Sequence, residues 1–273
     1  MTSADKLLFI LRLFSAEQPL WTVEQAAPVL NVSLSTAYRY FRSLVKAGLL
    51  DPVGGSGRYA LGPAIIELDR NIRLSDPVLR AALPTMQWLV AQIDRAGSLL
   101  LCRLYQDKVM CIHQQHATDG PHRISYERGL PLPMFRGAAS KAILAHLPPR
   151  HLRRLYDAHP AQIAEAGLGA SWDEFKDRLR TIRRNGLCIS RGELTPGTTG
   201  LSVPLFSPQR QVLGSLSIAH RGAMDEPSAA RIGALLIAAG REIDAVIVAA
   251  LGGTATSQGS ASSSDPAHAS GRI

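Results

Sequence analysis

The stretch Asn31–Leu50, NVSLSTAYRYFRSLVKAGLL, contains Arg39, Arg42 and Lys46 but no aspartate or glutamate. A short segment with helical character precedes it, and a glycine-rich turn over residues 54–57 follows it. This order is typical of a helix-turn-helix followed by a wing, which presents one helix to the major groove of DNA. The stretch therefore predicts that the first part of the chain binds DNA.

The predicted third helix of this unit has one apolar and one polar face. Ser33 or Ser35 is expected to cap it, and Gly48 to end it. Its inner face is expected to be Ala37, Phe41, Leu44 and Val45, with Tyr40 and Phe41 serving the core rather than stacking on bases. The candidate DNA-binding residues are five side chains of the outer face and one of the wing, namely Ser35, Thr36, Tyr38, Arg39, Arg42 and Arg58.

Among these candidates, Arg39 is the first choice for a two-pronged contact to guanine, and Arg42 is the alternate. Arg58 is expected in the minor groove or along the phosphate backbone, whereas the polar and aromatic side chains contact phosphates or bases. The alternative is that Arg42 and Lys46 only form a solvent-exposed face of the helix and do not bind DNA.

Composition is consistent with a globular protein that has a polyanionic partner. The chain has 273 residues, 46% hydrophobic and 19% charged, with a net charge of +8. No apolar run approaches the length of a membrane helix, and the first residues, with Asp5, do not read as a signal peptide. Three sparse cysteines without metal spacing, Cys102, Cys111 and Cys188, suit a reducing cytoplasm.

Helical periodicity is present both before and after the stretch Asn31–Leu50. Helices are expected over Asp5–Phe14 and from a cap at Thr22, and they complete a winged helix-turn-helix domain over 1–62. Linking helices are expected over 63–97. The second of them carries an apolar stripe that either packs on its own core or pairs with its twin in a dimer: Leu79, Ala82, Leu83, Met86, Leu89, Val90 and Ile93.

From residue 98 the pattern changes to strands and helices of an α+β domain that extends to 251. The predicted strands are Ser98–Tyr105, Lys108–Gln115, Ile124–Glu127, Leu187–Ser190, Thr199–Phe206 and Gln211–His220. The predicted helices are Ala138–Leu147 after a proline-rich loop over Gly129–Arg136, then His151–Ala158, a helix opened by a capping box at Ser171–Glu174, and Pro227–Leu251. The remaining residues, 252–273, read as a disordered tail.

Several motifs occur in a characteristic order in the larger domain. Leu130-Pro131-Leu132-Pro133 leads into Ala138–Ala145, and Ile182–Gly186 is followed by Gly192-Glu193, Pro196-Gly197 and Leu201–Leu205. With these motifs and the winged helix-turn-helix, the chain resembles the IclR family of bacterial transcription regulators over roughly Asp5–Leu251. The resemblance implies a GAF-like sensor domain that binds a small organic acid or aromatic metabolite. It also implies a dimer, or a dimer of dimers, on a double-stranded DNA operator.

The resemblance also implies an effector site between the sheet and the loop before Ala138. There are departures from the family pattern at Phe135, Arg136, Gly137 and Ser140, which indicate a reshaped pocket or a different ligand. We expect an aromatic or short-chain carboxylate, with Arg136 a candidate counter-ion or merely an exposed loop residue. The candidate effector-binding residues are Leu132, Arg136, Ala138, Ala139, Ser190, Gly200, Ser217 and Ala219.

Other function classes fit the sequence less well. Ser140 and Lys141 are adjacent on a helix, so their side chains diverge and do not favour catalysis. His113, His116 and His122 with Cys111 lack a tight metal-binding pattern, and we expect no metal and no cofactor. Lys141 is expected to pair with a carboxylate or backbone group, and Glu193 to pair or to gate the pocket. A DNA-binding protein whose large domain only oligomerises remains the alternative. A filled core behind Leu132 and Ala138 would favour that alternative, whereas a solvent-sized void there, with Ser190 and Ser217 turned inward, would favour a sensor.

Overall fold

The computed structural model describes residues 1–93, 97–117 and 127–252, with the side chains of the last two left aside. It divides the chain into two compact units, Met1–Asp76 and a second that begins at Pro77. The boundary therefore falls between the two helices predicted to link the domains. Most of the predicted strand Ile124–Glu127 and nearly all of the predicted tail lie outside the described residues.

The first unit consists of four helices and a three-stranded antiparallel sheet with strand order β1-β3-β2. Its buried core joins the helices to the sheet and includes Ile10, Ala26, Phe41 and Leu50. The elements are α1 Ser3–Phe9, which continues as a 3-10 helix over Ile10–Arg12, β1 Trp21–Thr22, α2 Val23–Leu30, α3 Leu34–Lys46, β2 Leu50–Val53, β3 Arg58–Leu61 and α4 Ala64–Ser75.

Hydroxyl side chains begin both helices of the helix-turn-helix. The Thr22 hydroxyl accepts from the backbone of Gln25, whose side chain in turn accepts from the Thr22 amide, which forms a capping box on α2. Ser33, not Ser35, caps α3, because the Ser33 hydroxyl accepts from the amide of Thr36. The two caps fix the starts of α2 and α3, and Asn31, which ends α2 at the turn between the two helices, adopts a left-handed conformation.

The predicted inner face of α3 is largely correct. Ala37, Phe41 and Leu44 are buried, whereas Val45 is only partly buried. Tyr40 is also buried, as expected of a core residue, and the ring of Phe41 packs edge-on against Tyr59 of the wing at 5.0 Å. The core therefore ties α3 to β3.

The second unit is an α+β domain built on one antiparallel sheet of six strands, in the order β6-β5-β4-β9-β8-β7. Its strands are β4 Gly97–Tyr105, β5 Lys108–His116, β6 Pro131–Leu132, β7 Cys188–Arg191, β8 Thr198–Phe206 and β9 Val212–Arg221. Its helices are α5 Pro77–Val90, α6 Ala138–Leu144, α7 Pro149–Ala158, α8 Pro160–Glu165, α9 Trp172–Asn185 and α10 Glu226–Gly252.

Helices cover both faces of this sheet. α5 and α10 pack on one face, where β8 and β9 direct Leu201, Val203, Leu216 and Ile218 into the core. α6 packs on the opposite face against β7, β8 and β9, and it also contacts α9. Because side chains alternate along a strand, the same strands present a different set of residues to α6.

Several predicted elements needed correction. The loop Gly129–Arg136 contains a short edge strand, β6, which tolerates Pro131 because an edge strand needs fewer backbone donors. The six-residue α8 was missed. The capping box at Ser171 is half formed, since Glu174 accepts from the amide of Ala170 instead of Ser171.

The apolar stripe on the second linking helix packs inside its own unit. Leu79, Ala82, Met86 and Leu89 are almost fully buried in the cluster that joins α5 to α10 and the sheet. Of the two alternatives given for this stripe, these residues follow the first and pack on the core of their own unit, since their apolar area is already removed from water. Large exposed apolar residues lie on α4 instead, at Ile66, Leu68, Ile72 and Leu74.

Candidate functional site

The outward face of α3 is free of covering segments in the described structure. Ser35, Tyr38, Arg39 and Arg42 are exposed, and Thr36 is partly exposed. Arg58, at the start of β3, is also exposed and follows a turn in which Gly54, Gly55 and Gly57 all have positive φ. The structure thus leaves all six candidate DNA-binding side chains accessible to a polyanion.

Tyr38 has an internal partner that the sequence did not reveal. Its hydroxyl donates a 2.6 Å hydrogen bond to the Glu24 carboxylate, from α3 to the start of α2. This hydrogen bond lowers the pKa of Glu24 and raises the pKa of Tyr38. A negative charge therefore lies beside the cationic face of α3 and holds one of its aromatic side chains.

The exposed face has one further member that the sequence analysis did not select. Leu34, the first residue of α3, is 46% exposed although it is a large apolar residue. The first residues of a recognition helix commonly reach base edges, and an apolar side chain there contacts the thymine methyl group. The signal in the sequence was a leucine directly after the capping serine.

The net positive charge of the chain is not concentrated in this unit. Residues 1–76 contain eight lysines and arginines and seven aspartates and glutamates, a net charge of +1. The composition argument for a polyanionic partner therefore holds only locally, through the absence of acidic residues from α3 itself.

In the second unit, the sheet face beneath α6 is lined with small polar residues. Ser190 of β7, Gly200 and Ser202 of β8, and Ser217 of β9 occupy neighbouring register positions. Ser202 and Ser217 are hydrogen-bonded to each other at 2.7 Å, and all three serines are buried. Ser190 and Ser217 thus turn inward, but each already has a hydrogen-bond partner within the protein, and neither lines the two cavities described below.

The start of α6 closes tightly on this face. The Ala138 amide donates to the Ser190 hydroxyl at 3.0 Å. A Cβ placed on Gly200 would lie 2.8 Å from the Ser190 hydroxyl and 3.4 Å from the Ala138 Cβ, so only glycine fits there without a shift. Ala138, Ser190 and Gly200 are therefore in mutual contact, and Ala139, Leu132 and Ala219 share one buried apolar cluster beside them.

Glu193 and Lys141 meet at the edge of this cluster. The Lys141 ammonium lies 2.8 Å from the Glu193 carboxylate, as expected of a lysine that pairs with an acid. Arg136, predicted as a possible ligand counter-ion, donates instead to the Glu193 backbone carbonyl in this structure.

Two cavities border the predicted site. One, of about 570 Å³, lies between α9, β7 and α10, and its lining includes Lys141, Cys188 and Gly233. The other, of about 350 Å³, is lined by residues 131–135 of the β6 region together with Leu155 and His159. Leu132 is the one predicted effector residue that lines either of these two cavities.

The thiol and the hydroxyl near the site, those of Cys188 and Ser140, are both buried. Burial raises the pKa of the Cys188 thiol to about 12, which keeps it protonated and unreactive at neutral pH. The Ser140 hydroxyl is fully buried and has no hydrogen-bond partner in the described part of the chain. Across residues 1–93, 97–117 and 127–252, no three metal-ligand side chains converge; His122 falls outside these ranges.

No helix in the described ranges combines the length and apolar character needed to cross a bilayer.

Comparisons with known proteins agree with this geometry. Residues 3–54 match the IclR helix-turn-helix domain, and residues 74–245 match the C-terminal domain of bacterial transcriptional regulator IclR. The HTH-type transcriptional regulator KipR of Bacillus subtilis is 24% identical over 222 residues, which cover 78% of this chain and 84% of that protein.

Solved structures show the same fold. An IclR transcriptional regulator from Alicyclobacillus acidocaldarius has a TM-score of 0.73 and 25% identity, and the match covers 90% of this chain and 98% of that one. An IclR homolog from Microbacterium hydrocarbonoxydans, crystallised with 4-hydroxybenzoate, has a TM-score of 0.69 at 21% identity and covers 91% of this chain and 100% of its own.

Proposed function

Because the chain belongs to the IclR family of bacterial regulators and is a DNA-binding transcriptional regulator, we propose that a small organic carboxylate controls its operator binding. In this proposal the protein acts in the cytoplasm on a catabolic operon. The first unit reads the operator, and the second unit binds an aromatic or short-chain acid.

The DNA half of the proposal rests on the exposed face of α3. Arg39 and Arg42 project from a helix that is capped by Ser33 and held by a buried inner face, so the fold defines the positions from which they leave the helix. Ser35, Thr36, Tyr38 and the wing residue Arg58 supply further contacts to phosphates or bases.

The acid half rests on the small polar residues beneath α6. The hydroxyls of Ser190 and Ser217 and the amides of Ala138 and Ala139 are suited to carboxylate oxygens, while apolar neighbours suit a carbon skeleton. The full proposed lining is Leu132, Arg136, Ala138, Ala139, Ser190, Gly200, Ser217 and Ala219. The Microbacterium homologue that carries 4-hydroxybenzoate supports an aromatic acid as the first ligand to test.

A homodimer is part of the proposal, with α4 as its contact in the first unit. Ile66 is 70% exposed, and Leu68, Ile72 and Leu74 are each more than half exposed on the same helix. Apolar side chains clustered on one short helix favour burial against another surface, and a second copy would bring two reading helices to a symmetric operator.

The experiment has two stages on the full-length protein. Selection from a random duplex library identifies an operator, and a thermal-shift panel of acids, neutral analogues and amines identifies ligands, because a ligand specific for the folded form raises the melting temperature. We expect salt-sensitive operator binding and stabilisation by acids. Operator binding with no stabilisation by any acid would favour the alternative, in which the large domain only oligomerises. Stabilisation by neutral compounds or amines alone would contradict the carboxylate assignment.

A further inference from the structure

Tyr38 occupies a central position on the exposed face of α3. Its side chain is 45% exposed, with Leu34 one turn before it and Arg42 one turn after it, both exposed as well. Residues four apart lie on the same side of a helix, so these three side chains form one stripe. A helix that enters the major groove presents such a stripe to the base edges. Tyr38 therefore lies where a base, and not only a phosphate, is within reach of the helix.

The phenol proton of Tyr38 is already used within the protein. The hydroxyl lies 2.6 Å from the carboxylate of Glu24, at the start of α2. The contact lowers the pKa of Glu24 and raises the pKa of Tyr38, so at neutral pH the first is ionised and the second is protonated. Because an ionised carboxylate can only accept, the phenol must donate the proton that the two groups share. The phenol oxygen thus has lone pairs left for an external partner, but no proton.

A hydroxyl that can only accept restricts which part of DNA it can bind. Phosphate oxygens are acceptors and carry negative charge, so the phenol oxygen gains nothing from them and the Glu24 carboxylate repels them. Among the polar groups of the base edges in the major groove, the donors are the amino groups of adenine N6 and cytosine N4, whereas guanine and thymine present acceptors there. The negative charge of Glu24 polarises the phenol and makes its oxygen a better acceptor. The chemistry of the pair therefore fits a base amino group.

We propose that Tyr38, held by Glu24, is a specificity-determining acceptor that selects a base with an exocyclic amino group, adenine or cytosine, at one position of the operator. Glu24 is a positioning residue, because it directs the phenol proton into the protein and its charge keeps phosphates away from the same place. The inference rests on the role of α3 in the proposed function. It narrows the expected contact of Tyr38, to a phosphate or a base, to one kind of base.

The test measures the full-length protein on its selected operator and on every single-base variant of that operator, by fluorescence anisotropy. Tyr38→Phe keeps the ring and removes the acceptor, so it is expected to reduce the preference for adenine or cytosine at one position by about two- to tenfold. At that position, purine in place of adenine, or pyrimidin-2-one in place of cytosine, deletes only the amino group. The deletion should weaken the wild type by a similar factor and Tyr38→Phe hardly at all, and it identifies which base supplies the amino group.

Glu24→Gln tests the positioning role separately. The glutamine amide can still accept from the phenol, but it has no charge and brings a donor of its own. This variant is expected to bind random duplex more tightly than the wild type and to lose part of the preference at the Tyr38 position, so that the ratio of specific to non-specific affinity falls. Glu17→Gln removes the same charge from an exposed position in the loop before β1 and should leave every base preference unchanged.

Three results would overturn the inference. If Tyr38→Phe keeps every base preference while Arg39→Ala loses one, Tyr38 reads no base, although α3 still reads the operator. If Tyr38→Phe weakens binding to all sequences equally and makes it less sensitive to salt, Tyr38 contacts a phosphate. If the wild type binds duplex DNA with no sequence preference at all, operator reading by α3 fails together with the inference.

Discussion

Arg39 and Arg42 lie on the same exposed face of α3 but in different surroundings. The Arg39 guanidinium lies 6.0 Å from the centre of the Tyr40 ring, whereas Arg42 forms no ion pair in the described structure. We expect this contact with the buried Tyr40 ring to reduce the conformational freedom that Arg39 loses when it binds guanine. Arg39 is therefore the first side chain to test for base reading.

We expect Arg39→Ala to weaken operator binding by ~1–3 kcal/mol and to relax specificity at one base position. Arg12→Ala, which removes an exposed arginine of the same unit outside α3, serves as the control. Fluorescence anisotropy on the selected operator and its single-base variants measures both effects. Equal losses for the two variants, with unchanged base preference, would remove Arg39 from the reading surface.

Position 137 requires glycine partly because of Leu194, a residue distant in the sequence. It has φ +83° and ψ 150°, and a Cβ there would meet Leu194. Gly129 has nearly the same φ, +85°, but a Cβ there would meet nothing within 4 Å. The two glycines therefore share a positive φ and differ in whether a Cβ would meet a neighbouring side chain.

Gly129→Ala is expected to destabilise the protein by about 1–2 kcal/mol through its backbone alone. Gly137→Ala is expected to lose a further ~1–3 kcal/mol, because the methyl group must push Leu194 and its turn away from α6. Chemical denaturation of both variants measures the difference. Equal losses would mean that the turn over 192–197 yields freely and does not press on α6.

At the level of single residues, the sequence predicted positions better than partners. The exposed candidates on α3 and the pairing of Lys141 with a carboxylate agree with the structure. The hydrogen bond from Tyr38 to Glu24 was missed because the two residues lie on different helices, and no local pattern reports on such a contact. The same holds for the packing of Leu194 on Gly137.

At the level of elements, the apolar residues of α4 and α5 differ in exposure. On α5, the side chain of Leu89 is fully buried in the core of the second unit, whereas Leu68 and Ile72 of α4 are more than half exposed. A helical stripe in the sequence does not distinguish these cases, because the same spacing suits an internal core and an interface between copies. Only the packing of each helix within its own unit decides whether its apolar side chains are buried or exposed.

Leu89→Ala is expected to cost 2–5 kcal/mol of unfolding free energy, roughly the range for a buried leucine, without changing self-association. Leu68→Glu combined with Ile72→Glu is expected to weaken the proposed dimer with little change in stability. Arg12→Glu, outside α4, changes the net charge by the same amount and serves as control. Analytical ultracentrifugation and denaturation together measure the effects. An unchanged dimer in the double variant would exclude α4 as the contact.

Elements with strong periodicity or clear caps were predictable, and very short ones were not. Helix α3 and the wing strand β3 follow from a capping serine, an apolar face and a glycine-rich turn. α8 has six residues and β6 has two, so both are too short for a helical or a strand periodicity to be recognised in the sequence. Strand β6 in addition exists only through its pairing with β5, a contact that depends on the rest of the sheet.

At the level of the whole molecule, composition indicated a polyanionic partner but not which part of the chain binds it. The net charge of +8 belongs mostly to the second unit, since the first carries +1. What indicates DNA binding is the local absence of acids from an exposed helix. The fold class and the family were within reach of the sequence because ordered motifs along the chain mark both domains, whereas the satisfied hydrogen bonds beneath α6 depend on tertiary contacts.

Coupling between the two units is the central claim, and one titration tests it most directly. The affinity of the full-length protein for its selected operator is measured with and without a saturating acid from the thermal-shift panel. Because linkage is reciprocal, the acid should bind operator-bound protein more weakly or more tightly by the same factor, typically about 5–150-fold. An acid that binds tightly yet leaves the operator affinity unchanged would contradict the account.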